Sequence, residues 1–312
     1  MADPRPGDLC VIIPTRQRWD ILQRTLAALR RQTVEGFEVV VVVDGEDQTP
    51  PALDARVLVK PRGGPGAARN HAARTTERPL ILLLGDDMIP QPQTVERHLS
   101  SHAAHPEPEV AVLGHVEWHP EVRRSRLNRW MDWSDTQFDY SKLRRMGGQD
   151  VGFGRFFSCN VSLKRGFFLD AGGFDEDFTF YYEDLDCGWR LSRRGMRLLY
   201  QPDAVVDHLH AYDWQRVRRR FQGVAEGERL MAAKHEWFDP HFLLRVRSAR
   251  ARGRVLPIWP LIVDPVEDAL GDRRPGLRAR LRDRANIVYY RRLAKPYEQA
   301  WEAAGRRLEA AG

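Results

Sequence analysis

The sequence predicts an α/β protein with an open, doubly wound sheet in its first third and a helical extension at its C-terminus. Short runs rich in Val, Ile and Leu alternate with segments of helical periodicity as far as residue 114. Such runs are typical of buried parallel strands, and their alternation with helices is typical of βαβ units. Of the 312 residues, 42% are hydrophobic and 29% charged, so the chain is long enough to bury a core.

The predicted strands of the first third are the apolar runs at residues 9–13, 39–43, 57–59 and 80–84. After the first run, Asp20 precedes leucines at helical spacing, and Gln23 follows it by three residues as in a capping box. Further helices are predicted at residues 66–76 and 94–104. Because the carboxyl ends of parallel strands share one edge of a sheet, the ligand crevice is expected at that edge.

The second part of the chain is less regular. Residues 117–155 scatter aromatic side chains among charges without clear periodicity, which indicates a lid or an insertion. Apolar order returns at residues 156–169 and 197–208, and a helix with one apolar face follows from residue 214.

The position at which this apolar pattern ends, after the helix that starts at residue 214, predicts the domain organisation. We expect a catalytic unit over residues 1–235 and a helical extension over residues 236–312. Within the extension, two amphipathic helices around residues 277–288 and 297–308 are expected after a Pro-containing connector at residues 255–265.

Cysteine usage and hydropathy limit the class of protein. Cys10, Cys159 and Cys187 are far apart and lack CxxC spacing, so neither a disulfide framework nor a zinc site is predicted. No apolar run reaches the roughly 18 residues that span a bilayer, and the first residues lack the apolar stretch of a secretory signal. We therefore expect a cytoplasmic protein, with peripheral contact at the inner face of the membrane as an open alternative.

The net charge of +6 is concentrated in the C-terminal half, where Arg collects at residues 216–220, 245–254 and 273–284. This asymmetry favours an anionic partner such as a phospholipid surface, a diphosphate-linked substrate or nucleic acid, and a solvated surface is the alternative. Because the apolar residues 255–263 lie beside these Arg, we expect the C-terminal helices to contact an anionic membrane or to form a homodimer. We predict no nucleic-acid partner.

Polar residues follow three of the predicted strands. They are Pro14, Thr15 and Arg16 after the first, Asp44 after the second, and Gly85, Asp86 and Asp87 after the fourth. A carboxylate pair directly after a buried strand is well placed to hold Mg²⁺ or Mn²⁺, and an Asp-rich turn is the alternative. The Gly-rich residues 63–70 open a helix, so their backbone and Arg69 are suited to an anionic diphosphate, although neither a Walker loop nor a full dinucleotide fingerprint is present.

Three carboxylates, Glu183, Asp184 and Asp186, lie within four residues of one another after a run of aromatic residues. Burial and like-charge proximity disfavour ionisation, so one of them is a candidate general base. The acidic first turn of a helix has the same pattern, and the sequence leaves both interpretations open. Asp186 and Arg190 are four apart and are expected to pair on a helix, which makes Asp186 the more structural of the three.

In this order and spacing, the motifs resemble an inverting family 2 glycosyltransferase of the GT-A fold. The resemblance covers about residues 8–235 and rests on residues 11–16, 42–45, 64–70, 85–90, 160, 172–176 and 183–186. It implies a mixed central sheet with helices on both faces. It also implies that residues 1–114 bind the nucleotide sugar and that residues 115–235 bind the acceptor.

The resemblance further implies roles for single residues. The donor nucleotide would be bound by Pro14, Thr15, Arg16, Asp44, Arg69 and Asp86. A divalent Mn²⁺ or Mg²⁺ would be held by Asp87 and by His208, which lies 24 residues after Asp184. The sequence departs from the family pattern at Gly85 and Val43, where acidic residues are usual, so one carboxylate is missing on the metal side.

Asp184 is implied as the general base, with Glu183 second and Asp186 third. Gly173, Phe174 and Asp175 resemble the loop beneath the acceptor. Trp130 and Trp133 are predicted to stack on a sugar ring of the acceptor, with a packing face as the alternative.

The predicted function is therefore metal-dependent, inverting transfer of a sugar from a nucleotide-sugar donor to a hydroxyl acceptor, of the hexosyltransferase type. A UDP- or dTDP-sugar is favoured because Asp44 is compatible with the N3–H of uracil or thymine. A glycan, a lipid-linked saccharide and a small molecule remain open as acceptors. A sugar-nucleotide-binding protein with weak activity is one alternative, motivated by Gly85, and a GT-A-like nucleotidyltransferase is another, although residues 14–18 lack the basic Gly-rich loop expected for it.

Overall fold

The computed structural model describes residues 4–47, 49–123, 125–134, 136–138, 140, 143, 145–253, 255–270 and 274–311. Residues 254 and 273 of the Arg-rich stretches lie outside these described residues. The strands found in the described part are β1 (Leu9–Thr15), β2 (Glu38–Asp44), β3 (Arg56–Lys60), β4 (Leu80–Leu84), β5 (Met88–Pro90), β6 (Val110–Trp118), β7 (Asn160–Lys164) and β8 (Arg197–His208).

These strands form one mixed sheet in the order β3-β2-β1-β4-β7-β6-β8-β5. The pairs β2/β3, β1/β2, β1/β4 and β6/β8 are parallel. Strand β7 is antiparallel to both β4 and β6, and β5 is antiparallel to β8. Every residue of β1, β4 and β7 is buried, as expected for central strands covered on both faces. The predicted α/β class with a mixed sheet is confirmed.

The helices of the described residues are α1 (Trp19–Leu29), α2 (Gly64–Thr75), α3 (Thr94–Ala104), α4 (Pro120–Arg123), α5 (Arg126–Trp133), α6 (Arg165–Asp170), α7 (Glu183–Ser192), α8 (Trp214–Lys234), α9 (His241–Ala251), α10 (Trp259–Leu270) and α11 (Pro275–Ala311). None of the helices in this part of the chain combines the length and the apolar character that a bilayer crossing requires.

Helix α1 does not begin with the expected capping box. Its N-cap is Arg18, which makes no side-chain cap bond, and Asp20 lies inside the first turn. The chain turns at Gln17, whose φ is 54°, and the Arg18 carbonyl accepts the first helical hydrogen bond from Leu22 N at 2.9 Å. Asp20 therefore favours the helix through its charge near the positive end of the helix dipole.

The helical extension also differs from the expectation. Helix α10 begins inside the predicted connector and ends beyond it, and the two predicted helices are one helix, α11, which continues through Pro296. Proline removes one backbone hydrogen bond. The helix continues because the residues around it, Leu293, Ala294 and Tyr297, are buried.

The chain divides into two compact units. One comprises Met1–Val122 with Asp139–His210 and contains the whole sheet, and the other comprises Arg123–Phe138 with Ala211–Gly312. Part of the segment predicted as a lid or insertion thus belongs to the second unit. The functional division at residue 235 stays a prediction.

Candidate functional site

The carboxyl ends of β2, β1 and β4 bring polar side chains to one edge of the sheet. Thr15 ends β1 and its Oγ1 donates to Asp86 Oδ2 at 2.8 Å, two residues beyond the end of β4. Arg16 Nη1 lies 3.4 Å from the carbonyl oxygen of Asp44, the last residue of β2. The structure therefore joins the ends of these neighbouring strands, as parallel strand order requires.

Asp44 holds the start of α2. Its carboxylate accepts from the backbone N–H of Gly63 at 2.8 Å and of Gly64 at 3.0 Å, and Lys60 Nζ lies 3.3 Å away. Both carboxylate oxygens therefore have partners inside the protein. Lys60, the last residue of β3, is a member of this site that the sequence patterns did not indicate.

Arg69 lies in α2 and is 5% exposed. Its Nη2 donates to the Ser158 carbonyl oxygen at 3.1 Å, its Nη1 lies 3.9 Å from Glu183 Oε1, and its guanidinium lies over the Phe174 ring. These contacts connect α2 to the start of α7. Contact of Arg69 with a nucleotide stays a prediction.

Asp87, His208 and His210 form a cluster of metal-ligand type, and their candidate ligand atoms lie within 4.8 Å of one another. Asp87 Oδ2 is 3.4 Å from His208 Nε2 and 3.1 Å from His210 Nδ1. The β5/β8 ladder explains this proximity, because it pairs Met88 with His208. His210 was missed in the sequence. Its spacing of two from His208 was the available signal, since alternate residues of an extended segment share a face.

The pKa shifts in the cluster favour the protonation states in which Asp87 and His210 ligate metals. Burial alone would raise the pKa of Asp87, but His208 and Arg18 outweigh this effect, and the pKa lies well below its usual range. Burial lowers the pKa of His210, and Asp87 only partly offsets that shift. At neutral pH the Asp87 carboxylate is thus ionised and the His210 imidazole is neutral, which are the forms that ligate metals.

Arg18 contacts both acidic residues after β4. Its Nε donates to Asp86 Oδ2 at 3.1 Å and its Nη2 to Asp86 Oδ1, while the same Nη2 lies 3.0 Å from Asp87 Oδ2. Its Nη1 lies 3.2 Å from His210 Nδ1. No sequence pattern indicated a role for Arg18, because nothing in its local surroundings distinguishes it from Arg16.

Asp184 lies in the first turn of α7. Its Oδ2 accepts from Ser158 N at 3.1 Å, and its Oδ1 is shielded from solvent without a hydrogen-bond partner among the described residues. Burial raises the pKa of this carboxyl, and Arg69 and Ser158 lower it only in part. A shielded carboxylate with a raised pKa is the state that a general base requires.

The backbone before this turn is strained. Tyr181 and Tyr182 both have positive φ, 65° and 68°, although neither is glycine. Each such residue costs on the order of 1–3 kcal/mol, and residues of this kind cluster at functional sites. Tyr182 is the N-cap of α7, so these two residues lead directly into the turn that contains Glu183 and Asp184.

Asp186 and Arg190 pair as predicted. Arg190 Nε and Nη2 lie 2.8 and 2.7 Å from Asp186 Oδ2, and the guanidinium also donates to the carbonyl oxygens of Ala171 and Gly173. The pair therefore ties α7 to the loop at residues 172–175, and the predicted pairing is confirmed, while the structural role of Asp186 stays a prediction.

Phe174 is buried, which corrects its assignment to the acceptor. The ring is 2% exposed and packs edge-on against Phe168 at 5.5 Å. Asn70 holds the Phe174 backbone from both sides, accepting from its N–H at 2.8 Å and donating to its carbonyl oxygen at 2.9 Å. Gly173 is also buried, and Asp175 accepts from Asp177 N within its own loop at 3.0 Å. Acceptor contact by Gly173 and Asp175 stays a prediction.

Trp130 is not available to a sugar either. It is fully buried in the second unit, where its ring stacks on Tyr289 at 4.3 Å and its Nε1 donates to Asn286 Oδ1 at 2.8 Å. Trp133 has Arg282 over its ring at 5.3 Å. The packing interpretation is therefore correct for Trp130. The sequence pattern left it open because the aromatic neighbours of Trp130 on α11 are distant along the chain. Acceptor contact by Trp133 stays a prediction.

Comparison with known proteins identifies the family of this chain. Residues 10–167 match the model of glycosyl transferase family 2. A validoxylamine A glucosyltransferase of Streptomyces hygroscopicus subsp. jinggangensis is 34% identical over 226 residues, which is 60% of this chain and 52% of that protein. A pre-mycofactocin glycosyltransferase of Mycobacterium tuberculosis is 30% identical over 248 residues, covering 72% of this chain and 49% of that protein. The chain thus spans about half the length of these curated relatives.

The fold has relatives among solved structures. A mannosyltransferase from Pyrobaculum calidifontis, solved in complex with GDP-Man and Mn²⁺, matches with a TM-score of 0.56 at 18% identity, covering 94% of this chain and 88% of that chain. At this identity the likeness shows a shared fold.

Proposed function

The chain belongs to glycosyl transferase family 2, and on this premise we propose that it transfers a sugar from a nucleotide-sugar donor to a hydroxyl acceptor, with inversion and with a divalent metal. One observation carries the proposal. The adjacent residues Ser158 and Cys159 contact both the candidate base and the segment before the candidate metal ligand. Ser158 N donates to Asp184. The Cys159 carbonyl oxygen accepts from Gly85 N, two residues before Asp87. A candidate base and a candidate metal cluster are thus held by one short segment.

In this proposal Asp184 is the base. Its Oδ1, which has no hydrogen-bond partner among the described residues, accepts the proton of the acceptor hydroxyl as the hydroxyl oxygen attacks the anomeric carbon of the sugar. The bond from the anomeric carbon to the diphosphate oxygen breaks in the same displacement, so the configuration inverts. A positioned base contributes about 10²–10⁴-fold to such a step. Glu183 is the second candidate, but its carboxylate lies beside Arg69.

The residues of the cluster fit a divalent ion. Asp87 offers a carboxylate oxygen, and His208 and His210 offer imidazole nitrogens, which is a donor set suited to Mn²⁺ more than to Mg²⁺. His210 supplies a ligand where the family pattern has an acidic residue and this chain has Gly85. When bound, the ion would supply electrostatic stabilisation of the leaving diphosphate.

We propose UDP or dTDP as the donor nucleotide, with Asp44, Arg16 and Thr15 around it. GDP is the alternative, since the structural relative binds GDP-Man. For the acceptor, the compounds in the relatives' names, validoxylamine A and pre-mycofactocin, are the first to assay.

Calorimetric titration tests the donor and the metal together. We expect one of UDP, dTDP and GDP to bind more tightly with Mn²⁺ present, and Asp87→Ala to lose this enhancement. Asp54→Ala is the matched control, because Asp54 is exposed and pairs with Arg30 away from the cluster. Binding without turnover of any nucleotide sugar would favour the sugar-nucleotide-binding alternative, and absence of binding would refute the proposal.

For a further partner, we propose that the start of α10 contacts an anionic membrane surface. Leu256, Ile258 and Leu261 are 66%, 48% and 51% exposed, and Arg-rich stretches flank them. The protein is expected to pellet with anionic vesicles at low salt, and a Leu256→Glu/Ile258→Glu variant is expected to stay in the supernatant. Wild-type protein that stays in the supernatant but sediments as a dimer would indicate a second copy of the chain instead.

A further inference from the structure

We propose that Arg18 is an internal cation of the metal cluster, which competes with the divalent ion until a nucleoside diphosphate binds. The inference rests on the proposed use of a metal and concerns this chain's own arginine. It makes Arg18 a positioning residue that couples metal binding to donor binding.

The competition follows from a shared oxygen. Asp87 Oδ2 is the atom that faces both His208 and His210, and it is also the atom that lies 3.0 Å from Arg18 Nη2. A guanidinium and a divalent ion bound to the same oxygen would repel each other at close range in a buried site. Arg18 in this position therefore weakens the binding of a metal ion.

His210 supports the same conclusion. Its Nδ1 lies 3.1 Å from Asp87 Oδ2 and 3.2 Å from Arg18 Nη1. One ring nitrogen cannot donate to Asp87 and accept from Arg18 at the same time. If Nδ1 accepts from Arg18, the Nδ1 lone pair and Asp87 Oδ2 both face the guanidinium. The guanidinium then occupies the position that a metal ion would take.

Arg18 is able to leave. Its side chain is 33% exposed, whereas the side chain of Asp87 is 9% exposed. After departure, the Asp86 carboxylate keeps the hydrogen bond from Thr15 Oγ1, and its backbone carbonyl keeps that from Thr25 Oγ1. The carboxylate is thus left with a partner.

A bound diphosphate is the expected new partner of Arg18 once its side chain leaves Asp86 and Asp87. Arg18 follows β1 at the edge where Thr15 and Arg16 lie, and an arginine fork binds phosphate oxygens in bidentate fashion. When a diphosphate and a metal bind together, Arg18 exchanges a carboxylate partner for a phosphate partner. Metal alone is then expected to bind weakly, and metal with nucleotide is expected to bind tightly.

The experiment measures Mn²⁺ binding without any turnover. Mn²⁺ is titrated into the wild-type chain, Arg18→Gln and Arg24→Gln, by calorimetry and by loss of the free Mn²⁺ spin-resonance signal, with and without UDP, dTDP or GDP. Arg24 is the matched control, because it lies in α1, the helix of which Arg18 is the N-cap, and pairs with Glu121 instead of the cluster. Circular dichroism and thermal unfolding verify that each variant is folded, and Arg18→Lys keeps the charge should Arg18→Gln fail to fold.

We expect Arg18→Gln to bind Mn²⁺ alone about tenfold more tightly than the wild type, and to lose a similar factor of the enhancement by nucleotide. Arg24→Gln is expected to match the wild type, and Arg18→Lys to lie between. Equal affinities of wild type and Arg18→Gln for Mn²⁺ alone would overturn the inference. If wild type still shows Mn²⁺-enhanced nucleotide binding in that case, the proposed function stands. If no variant binds Mn²⁺ with any nucleotide, the proposed metal use fails as well.

Discussion

Asp184 is held where its ionisation costs free energy. Burial raises the pKa of the carboxyl, and the nearby Arg69 and the N–H of Ser158 lower the pKa only in part. One oxygen is left without a partner in the described structure. A residue that destabilises the fold in the state required for chemistry is characteristic of active sites.

At this scale we predict that Asp184→Asn lowers the rate of sugar transfer by about 10²–10⁴-fold, because the amide cannot accept the hydroxyl proton. Nucleotide affinity is expected to remain. Initial rates with the identified donor measure the effect, and the exposed Asp170→Asn at the end of α6 is the control. Full activity in Asp184→Asn together with loss in Glu183→Gln would transfer the role of base to Glu183.

The same pKa determines a pH dependence. A pKa raised above the ordinary 3.8 means that the folded chain binds this proton more tightly than the unfolded chain. Stability from this group is therefore full at low pH and is lost as pH rises through the folded pKa, while base activity rises over the same window. At neutral pH, Asp184→Asn is expected to melt at the wild-type temperature or above it, which differential scanning calorimetry measures.

At the scale of elements, the first turn of α7 reconciles the two interpretations of the acidic run. Glu183, Asp184 and Asp186 do lie in a first turn, where negative charge favours the helix dipole. Asp186 is neutralised by Arg190, whereas Asp184 is left with a shielded oxygen. One short element thus contains a structural carboxylate and the proposed base.

The start of α2 depends on a glycine. Gly64 has a φ of 87°, and a Cβ atom there would collide with the Thr179 carbonyl oxygen. Its N–H also holds Asp44. Only glycine permits both this backbone conformation and the close approach of the segment before α7.

We therefore predict that Gly64→Ala lowers the free energy of unfolding by about 1–3 kcal/mol and weakens nucleotide binding, because the turn must move. Urea unfolding and calorimetry measure the two effects. Gly166→Ala is the matched control, since that glycine lies in α6 and an added Cβ would meet no described residue outside its own stretch of helix within 4 Å. Unchanged stability in Gly64→Ala would contradict the role assigned to the turn.

At the scale of the whole molecule, a buried polar chain connects α3 to the sheet. His98 Nδ1 lies 2.8 Å from Ser162 Oγ, its Nε2 lies 3.0 Å from Asn160 Oδ1, and His102 Nε2 lies 2.9 Å from the same Ser162 oxygen. Lys164 Nζ continues the chain to His102 Nδ1 at 3.0 Å. Burial lowers the pKa of His98 to about 4, so the imidazole is neutral in the folded protein.

The buried imidazole of His98 predicts that the folded protein is sensitive to acid. Between the ordinary pKa of 6.5 and about 4, the unfolded chain binds a proton at His98 that the folded chain excludes, so stability falls as pH falls through this window. The loss from His98 alone is about 3 kcal/mol. Urea unfolding at neutral pH and near pH 4 is expected to show it, and His98→Gln, which cannot titrate, is expected to lose less. An identical pH dependence in the variant would contradict this account.

The sequence by itself determined the strands of the first third and the polar residues that follow them. The apolar runs at residues 9–13, 39–43, 57–59 and 80–84 lie within β1 to β4, and the bounds of α3 were predicted correctly. The family resemblance placed Asp87 and His208 at one metal site, and the structure brings their side chains to 3.4 Å of each other; their use as metal ligands stays a prediction. These features are local, since hydrophobic periodicity follows from the repeat of the helix or strand itself.

Only the tertiary structure decided which distant residues meet. The antiparallel insertion of β7 between β4 and β6 brings Ser158 to Asp184 and Cys159 to Gly85, and the β5/β8 pairing brings His210 to Asp87. Burial of Trp130 against α11 and of Phe174 against Phe168 likewise depends on partners far along the chain. Strand order and packing arise from long-range contacts, which no local period encodes, and for that reason the contacts of Arg18 and His210 with Asp87 became visible only in the folded chain.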